Sequence, residues 1–69
     1  MNKNRARLIR MTWEAFTAKE RENIQPGFDG AWKSELRIDG TPYETFEEWG
    51  QDHIFWIDDK GNIYAEQKL

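Results

Sequence analysis

The sequence predicts an α+β fold, with one long N-terminal helix packed on a small antiparallel sheet of three or four strands and a short second helix. Three observations carry the prediction. A stretch free of glycine and proline runs up to Asn23, just before Pro26-Gly27. Thr45-Phe46-Glu47-Glu48 has the spacing of a helix start. Two short runs rich in β-branched and aromatic residues, His53–Ile57 and Ile63–Gln67, flank a turn-forming segment.

The first helix is expected from Asn4 to Asn23, which is rich in good helix formers. Pro26 cannot continue a helix and Gly27 favours a turn, so the helix should stop there. At 100° per residue, Leu8, Ile9, Met11, Trp13, Ala15 and Phe16 fall on one broad arc, with Ala18 at its edge. Arg7, Arg10, Glu14, Thr17 and Arg21 fill the opposite side. The apolar arc spans roughly 220°, against the roughly 100° that one neighbouring layer requires. Part of it should therefore meet a second neighbour.

After a loop at Gln25–Gly30, the segment Ala31–Ile38 alternates. Trp32, Ser34, Leu36 and Ile38 point one way and Lys33, Glu35 and Arg37 the other, as in a half-buried strand. Asp39-Gly40 is a hairpin-turn signal, returning Thr41–Tyr43 as a short strand. Pro42 has no N–H to donate, which puts that strand at an edge. Thr45 and Glu48 then form a capping box for a helix from Phe46 to about Trp49, ending near Gly50.

The last hairpin turns through Asp58-Asp59-Lys60-Gly61-Asn62. If Ile57 pairs with Ile63, one face carries Phe55, Ile57, Ile63 and Ala65, and the other carries Ile54, Trp56 and Tyr64. A hairpin buried on one side should be polar on its second side. This one is apolar on both.

With 69 residues the chain is one domain, small enough for its stability to be marginal. It holds no cysteine and a single histidine, so neither a disulfide nor a structural zinc site can staple it. Aromatic residues, at 14% of the chain, offer a compensating core or a dimer surface. No apolar run is long enough for a membrane span and no leader pattern is present, so a cytoplasmic protein is expected.

Charge is uneven. Residues 1–24 hold six basic and three acidic side chains, and residues 25–69 hold four basic and ten acidic. The only cluster that could touch nucleic acid is Lys3, Arg5, Arg7 and Arg10, and a sequence pI near 5.0 argues against it. The reverse alternative is that Glu44, Glu47, Glu48 and Asp52 imitate phosphate, although an acidic run at a helix start is also what the helix dipole favours.

No catalytic constellation is legible. A nucleophile needs a base beside it and a group to orient that base, and nothing arranges Ser34, the only serine, with His53, the only histidine. His53 reads as a strand-end residue. The segment 58–62 lacks the spacing and terminal Glu of a calcium loop, and turn chemistry accounts for it. The glycines stand singly at turns, so no phosphate loop is present. No enzyme activity, cofactor or metal is therefore expected.

The aromatics remain. Trp13, Phe16, Trp32 and Phe55 are expected in the core, while Tyr43, Trp49, Trp56 and Tyr64 exceed what so small a core can hold. Tyr and Trp supply large rigid area with a polar handle, which suits interfaces. Partner binding is assigned to Tyr43, Phe46, Glu48 and Trp49, and a homodimer interface to Leu8, Met11, Ala15, Ile54, Trp56 and Tyr64. The small size, acidic aromatic-rich composition and lack of a cofactor signature resemble phage-encoded or mobile-element-encoded inhibitors that occlude a host protein. That resemblance is carried by composition and by no motif.

Overall fold

The computed structural model describes residues 7–69. Strand β1 (Ile9–Thr12) leads into a single 3-10 turn at Trp13–Ala15 and then helix α1 (Ala18–Ser34). Helix α2 (Phe46–Gln51) and strands β2 (His53–Ile57) and β3 (Ile63–Gln67) follow. The sheet is antiparallel in the order β1-β2-β3. This is the α+β architecture of one long helix, one short helix and a small antiparallel sheet.

The long helix, however, lies further along the chain than the sequence suggested. Residues 9–12 pair with β2 as an edge strand, with Ile9 opposite Ile57 and Met11 opposite Phe55. The expected helix over these residues is not formed, and its first part, 4–6, lies outside the described residues. Thr17 caps α1 instead: its hydroxyl accepts from Glu20 N–H at 3.0 Å, while Glu20 Oε1 accepts from Thr17 N–H at 2.8 Å. That reciprocal pair satisfies two otherwise orphan amides.

Helix α1 runs straight through the expected loop at Gln25–Gly30, with Pro26 inside it. Arg21, Ile24, Gln25, Phe28 and Trp32 are half-buried at three- and four-residue intervals, whereas Pro26, Gly27 and Gly30 are exposed. Apolar packing of this stripe outweighs the local cost of a proline in mid-helix, about 3 kcal/mol.

The expected strand Ala31–Ile38 is also not formed. Its first four residues end α1, and only a single bridge, Leu36 to Pro42, survives of the expected hairpin. The turn itself stands: Gly40 N–H donates to Arg37 O at 2.8 Å, and Gly40 has φ 88°. Only glycine adopts that backbone freely.

Helix α2 starts at the expected residue, with Thr45 Oγ1 accepting from Glu48 N–H at 3.1 Å. The box is only half closed, because Glu48 Oε1 reaches Glu44 N–H at 3.0 Å instead of the amide of Thr45. The β2–β3 hairpin has the expected register, with Ile57 opposite Ile63 and Trp56 opposite Tyr64.

One face of the sheet carries the core. Phe55 on the central strand is 0% exposed, and the rings of Trp13, Phe16, Phe28 and Trp49 all lie within 5.9 Å of it, centroid to centroid. Phe46 completes the cluster by packing edge-on to Trp13 and stacking on Trp49. Most of these pairs are edge-to-face or tilted, the geometries that ring quadrupoles favour. Both helices and the 3-10 turn thus sit on the same side of the sheet. Among the described residues, no helix is long and apolar enough to cross a membrane.

Candidate interaction face

Alternation along a strand sends successive side chains to opposite faces. With Met11, Phe55 and Ala65 in one row on the core side, the rows on the other side are fixed by register. One is Arg10–Trp56–Tyr64 and the other is Thr12–Ile54–Glu66. Among the described residues no helix or loop forms a layer over these six side chains.

Ile54 and Trp56 on the central strand are only half-buried, and Tyr64 is 51% exposed. Neither Trp56 nor Tyr64 takes part in the ring cluster; their polar ends are tied down locally. Trp56 Nε1–H donates to Glu66 Oε1 at 3.0 Å, and Tyr64 O–H donates to Asp58 Oδ2 at 3.2 Å. Those bonds fix two large rings at the surface, reducing the rotamer freedom that binding would otherwise remove. The bond to Asp58 also holds the Tyr64 phenol above its ordinary ionisation range, through the hydrogen bond first and the carboxylate charge second. The terminal Leu69 joins Arg10, Ile54, Trp56 and Glu66 in lining a shallow depression on this face.

Ile54, Trp56 and Tyr64 therefore lie together, on the face where the sequence placed them. The other expected interface residues do not join them. Met11 points to the core side and packs against the cluster, because residues 9–12 form a strand and not a helical arc. Ala15 is exposed in the 3-10 turn, and Leu8 is exposed just before β1.

The expected partner-binding group is divided. Tyr43, Phe46 and Trp49 are 5%, 8% and 1% exposed, so their rings are core and offer almost no surface. They fit because α2 lies directly on the sheet, so that ring edges interlock. Trp13 passes against the bare backbone of Gly50. Glu48 stays at the surface, paired with Arg37 at 3.3 Å.

A polar network underlies this part of the core. His53, 1% exposed at the start of β2, has Nδ1 at 2.6 Å from Trp49 O and Nε2 at 3.0 Å from Glu35 Oε1. The Glu35 oxygen also accepts from Trp49 Nε1–H at 2.9 Å. Tyr43 O–H donates to Asp52 Oδ2 and accepts from Gln67 Nε2–H at 2.9 Å. Desolvation, then the bond to Asp52, raise the Tyr43 phenol above its ordinary range. His53 is thus at a strand end, as expected, and it also joins α1 to α2.

Of the acidic run, Glu48 and Asp52 are occupied by Arg37 and Tyr43, while Glu47 lies 3.9 Å from Arg21. Of the basic cluster, Arg7 and Arg10 are exposed, and Lys3 and Arg5 lie outside the described residues. The described residues contain no group of three or more His, Cys, Asp or Glu placed to hold a metal ion.

Sequence reasoning missed Arg10 and Glu66 as members of the open face. The signal for Arg10 was the alternation of Ile9, Arg10, Met11 and Thr12, which a helical reading of the same residues concealed. The chain matches no protein-family model, and neither a curated protein nor a solved structure is significantly similar to it.

Proposed function

We propose that this chain is a non-enzymatic protein-binding domain whose working surface is the uncovered face of its sheet. The observation that carries the reading is the position of Ile54, Trp56 and Tyr64 on three-stranded backbone, with no layer of the described residues packed above them. Contiguous apolar area at a soluble domain's surface is costly unless a partner covers it, and rigid Trp and Tyr anchors are typical of the residues that dominate binding energy.

Two further observations support a binding role over a catalytic one. Both ring nitrogens of the single histidine are engaged by Trp49 O and Glu35 Oε1. The single serine hydroxyl donates to Gly30 O within its own helix, at 2.7 Å.

The test is photo-crosslinking inside cells that make the protein, with a photoreactive residue at Tyr64 or, as a control, at Lys19 on α1. Tyr64 is expected to give discrete protein adducts and Lys19 none. Adduct mass separates a second copy of this chain from a different protein. Equal labelling from both positions, or none from Tyr64, rejects the sheet face as the binding surface.

A further inference from the structure

Resting on that reading, we infer that the partner of the open face is a second copy of the same chain, seated face to face about a twofold axis running along β2. Of the six strand side chains on the open face two are charged, and they occupy opposite edges: Arg10 on β1 and Glu66 on β3. Between them the central strand contributes only Ile54 and Trp56. The pattern is basic edge, apolar centre, acidic edge.

A homodimer must use the same patch twice, so the patch has to complement itself. Two in-plane axes keep the strands of two facing sheets aligned. An axis across the strands would lay β1 on β1 and bring the two arginines towards each other. An axis along the strands lays β2 on β2 and sets β1 of each copy over β3 of the other. Arg10 then faces the edge carrying Tyr64 and Glu66 in the other copy, twice over. Trp56 and Ile54 meet their own counterparts across the axis.

Sheets packed in this way lie about 10 Å apart, within reach of an arginine and a glutamate side chain together. Arg10 has no ion-pair partner among the described residues, and Tyr64 offers it a ring as well as the neighbouring carboxylate. Glu66 keeps lone pairs free after accepting from Trp56. The face has only three short strands, below the roughly 1,600 Å² of a standard interface, so the dimer should be reversible.

Sedimentation equilibrium on the full chain tests this, with circular dichroism to show that each variant is folded. Wild type is expected to be a reversible dimer. Trp56→Ala removes the central anchor and should weaken association by at least about tenfold. Arg10→Glu and Glu66→Arg each create two like-charge pairings and should weaken self-association by at least about tenfold. Mixed together, these two charge variants should dimerise again. One then carries acidic side chains at both edges of its face and the other basic side chains at both, so opposite charges meet at each edge.

A wild type that stays monomeric at hundreds of micromolar overturns the dimer. So does a dimer indifferent to Trp56→Ala, or one whose charge variants fail to recover on mixing. In those cases a crosslink from Tyr64 to a different protein leaves the binding face standing, whereas the absence of any crosslink removes both readings.

Discussion

Gly50 leaves the space that Trp13 fills. A Cβ built on Gly50 would lie 2.5 Å from Cδ2 and Cζ3 of the Trp13 ring, far closer than carbon atoms pack. The ring cannot retreat, because Phe16, Phe46 and Phe55 enclose it and the Arg21 guanidinium lies over it at 4.9 Å. Helix α2 and the strand-to-helix connection are therefore held at a separation that only glycine permits.

Gly50→Ala is expected to destabilise the domain, even though alanine is the better helix former. Overpacking of this kind costs about 1–3 kcal/mol. In a domain of this size each kcal/mol lowers the melting temperature by roughly 4–8 °C. Thermal unfolding followed by circular dichroism reads the effect. An unchanged or raised melting temperature would show that α2 can move away from Trp13 without loss.

The glycines of α1 should behave in the opposite way. Added Cβ atoms at Gly27 and Gly30 would meet nothing within 4 Å, and neither residue has a positive φ. Gly27→Ala and Gly30→Ala should each stabilise by about 0.5–1 kcal/mol, by lowering the backbone entropy of the unfolded chain. Pro26→Ala restores a helical N–H and should add about 2–3 kcal/mol. Urea unfolding distinguishes the outcomes: a loss of stability in all three would mean that this segment is not helical in solution.

These positions also explain what could be read from the sequence and what could not. The β2–β3 hairpin was legible as two strands, because β-branched and aromatic alternation flanks a turn segment, and the conditional pairing of Ile57 with Ile63 is the one formed. Helix α2 was legible from Thr45, since its cap is a local interaction three residues long. Helix α1 was misplaced because Pro26-Gly27 is a strong local stop signal, and the force that overrides it is tertiary. Ile24, Phe28 and Trp32 are useful only once the sheet exists to receive them. Residues 9–12 suffered the reverse error, being acceptable to a helix alone but claimed as an edge strand by β2.

For the site, hairpin alternation was enough to place Ile54, Trp56 and Tyr64 on one face. Tyr43 and Trp49 were misjudged because core capacity was counted in residues, and Phe46 was assigned to the interface with them. Their interlocked rings, with a glycine backbone beneath Trp13, pack far more aromatic area than that count allowed.

Glu35 should matter more to stability than a partly exposed carboxylate usually does. One of its oxygens accepts from Trp49 Nε1–H and also faces His53 Nε2, and both partner residues are 1% exposed. Glu35→Ala leaves two buried polar atoms without a partner, each costing about 1–3 kcal/mol. Glu35→Gln keeps an acceptor oxygen at that position and should cost less. If urea unfolding finds Glu35→Ala no worse than Glu35→Gln, the network is incidental to the fold.

The two tyrosines predict how the protein responds to alkali. Burial first, then the bond to Asp52, favours the neutral phenol of Tyr43, so its folded-state pKa lies above the ordinary value of 10.0. The bond to Asp58 raises Tyr64 from the same value of 10.0 at the surface. For a phenol raised in this way, the stabilising contribution is complete below the unfolded pKa. It is lost as pH climbs through the folded one. Near-ultraviolet absorbance of phenolate should therefore appear later in the native protein than in the same chain in urea. Asp58→Ala should return Tyr64 towards its ordinary titration without unfolding the domain, whereas Asp52→Ala should do so for Tyr43 and also lower stability. The acid side has the opposite sign: Asp58, lowered from 3.8 mainly by the Asn62 side chain, contributes above that pH and stops contributing as pH falls through its folded value. Native and unfolded titration curves that coincide would show that neither hydrogen bond exists in solution.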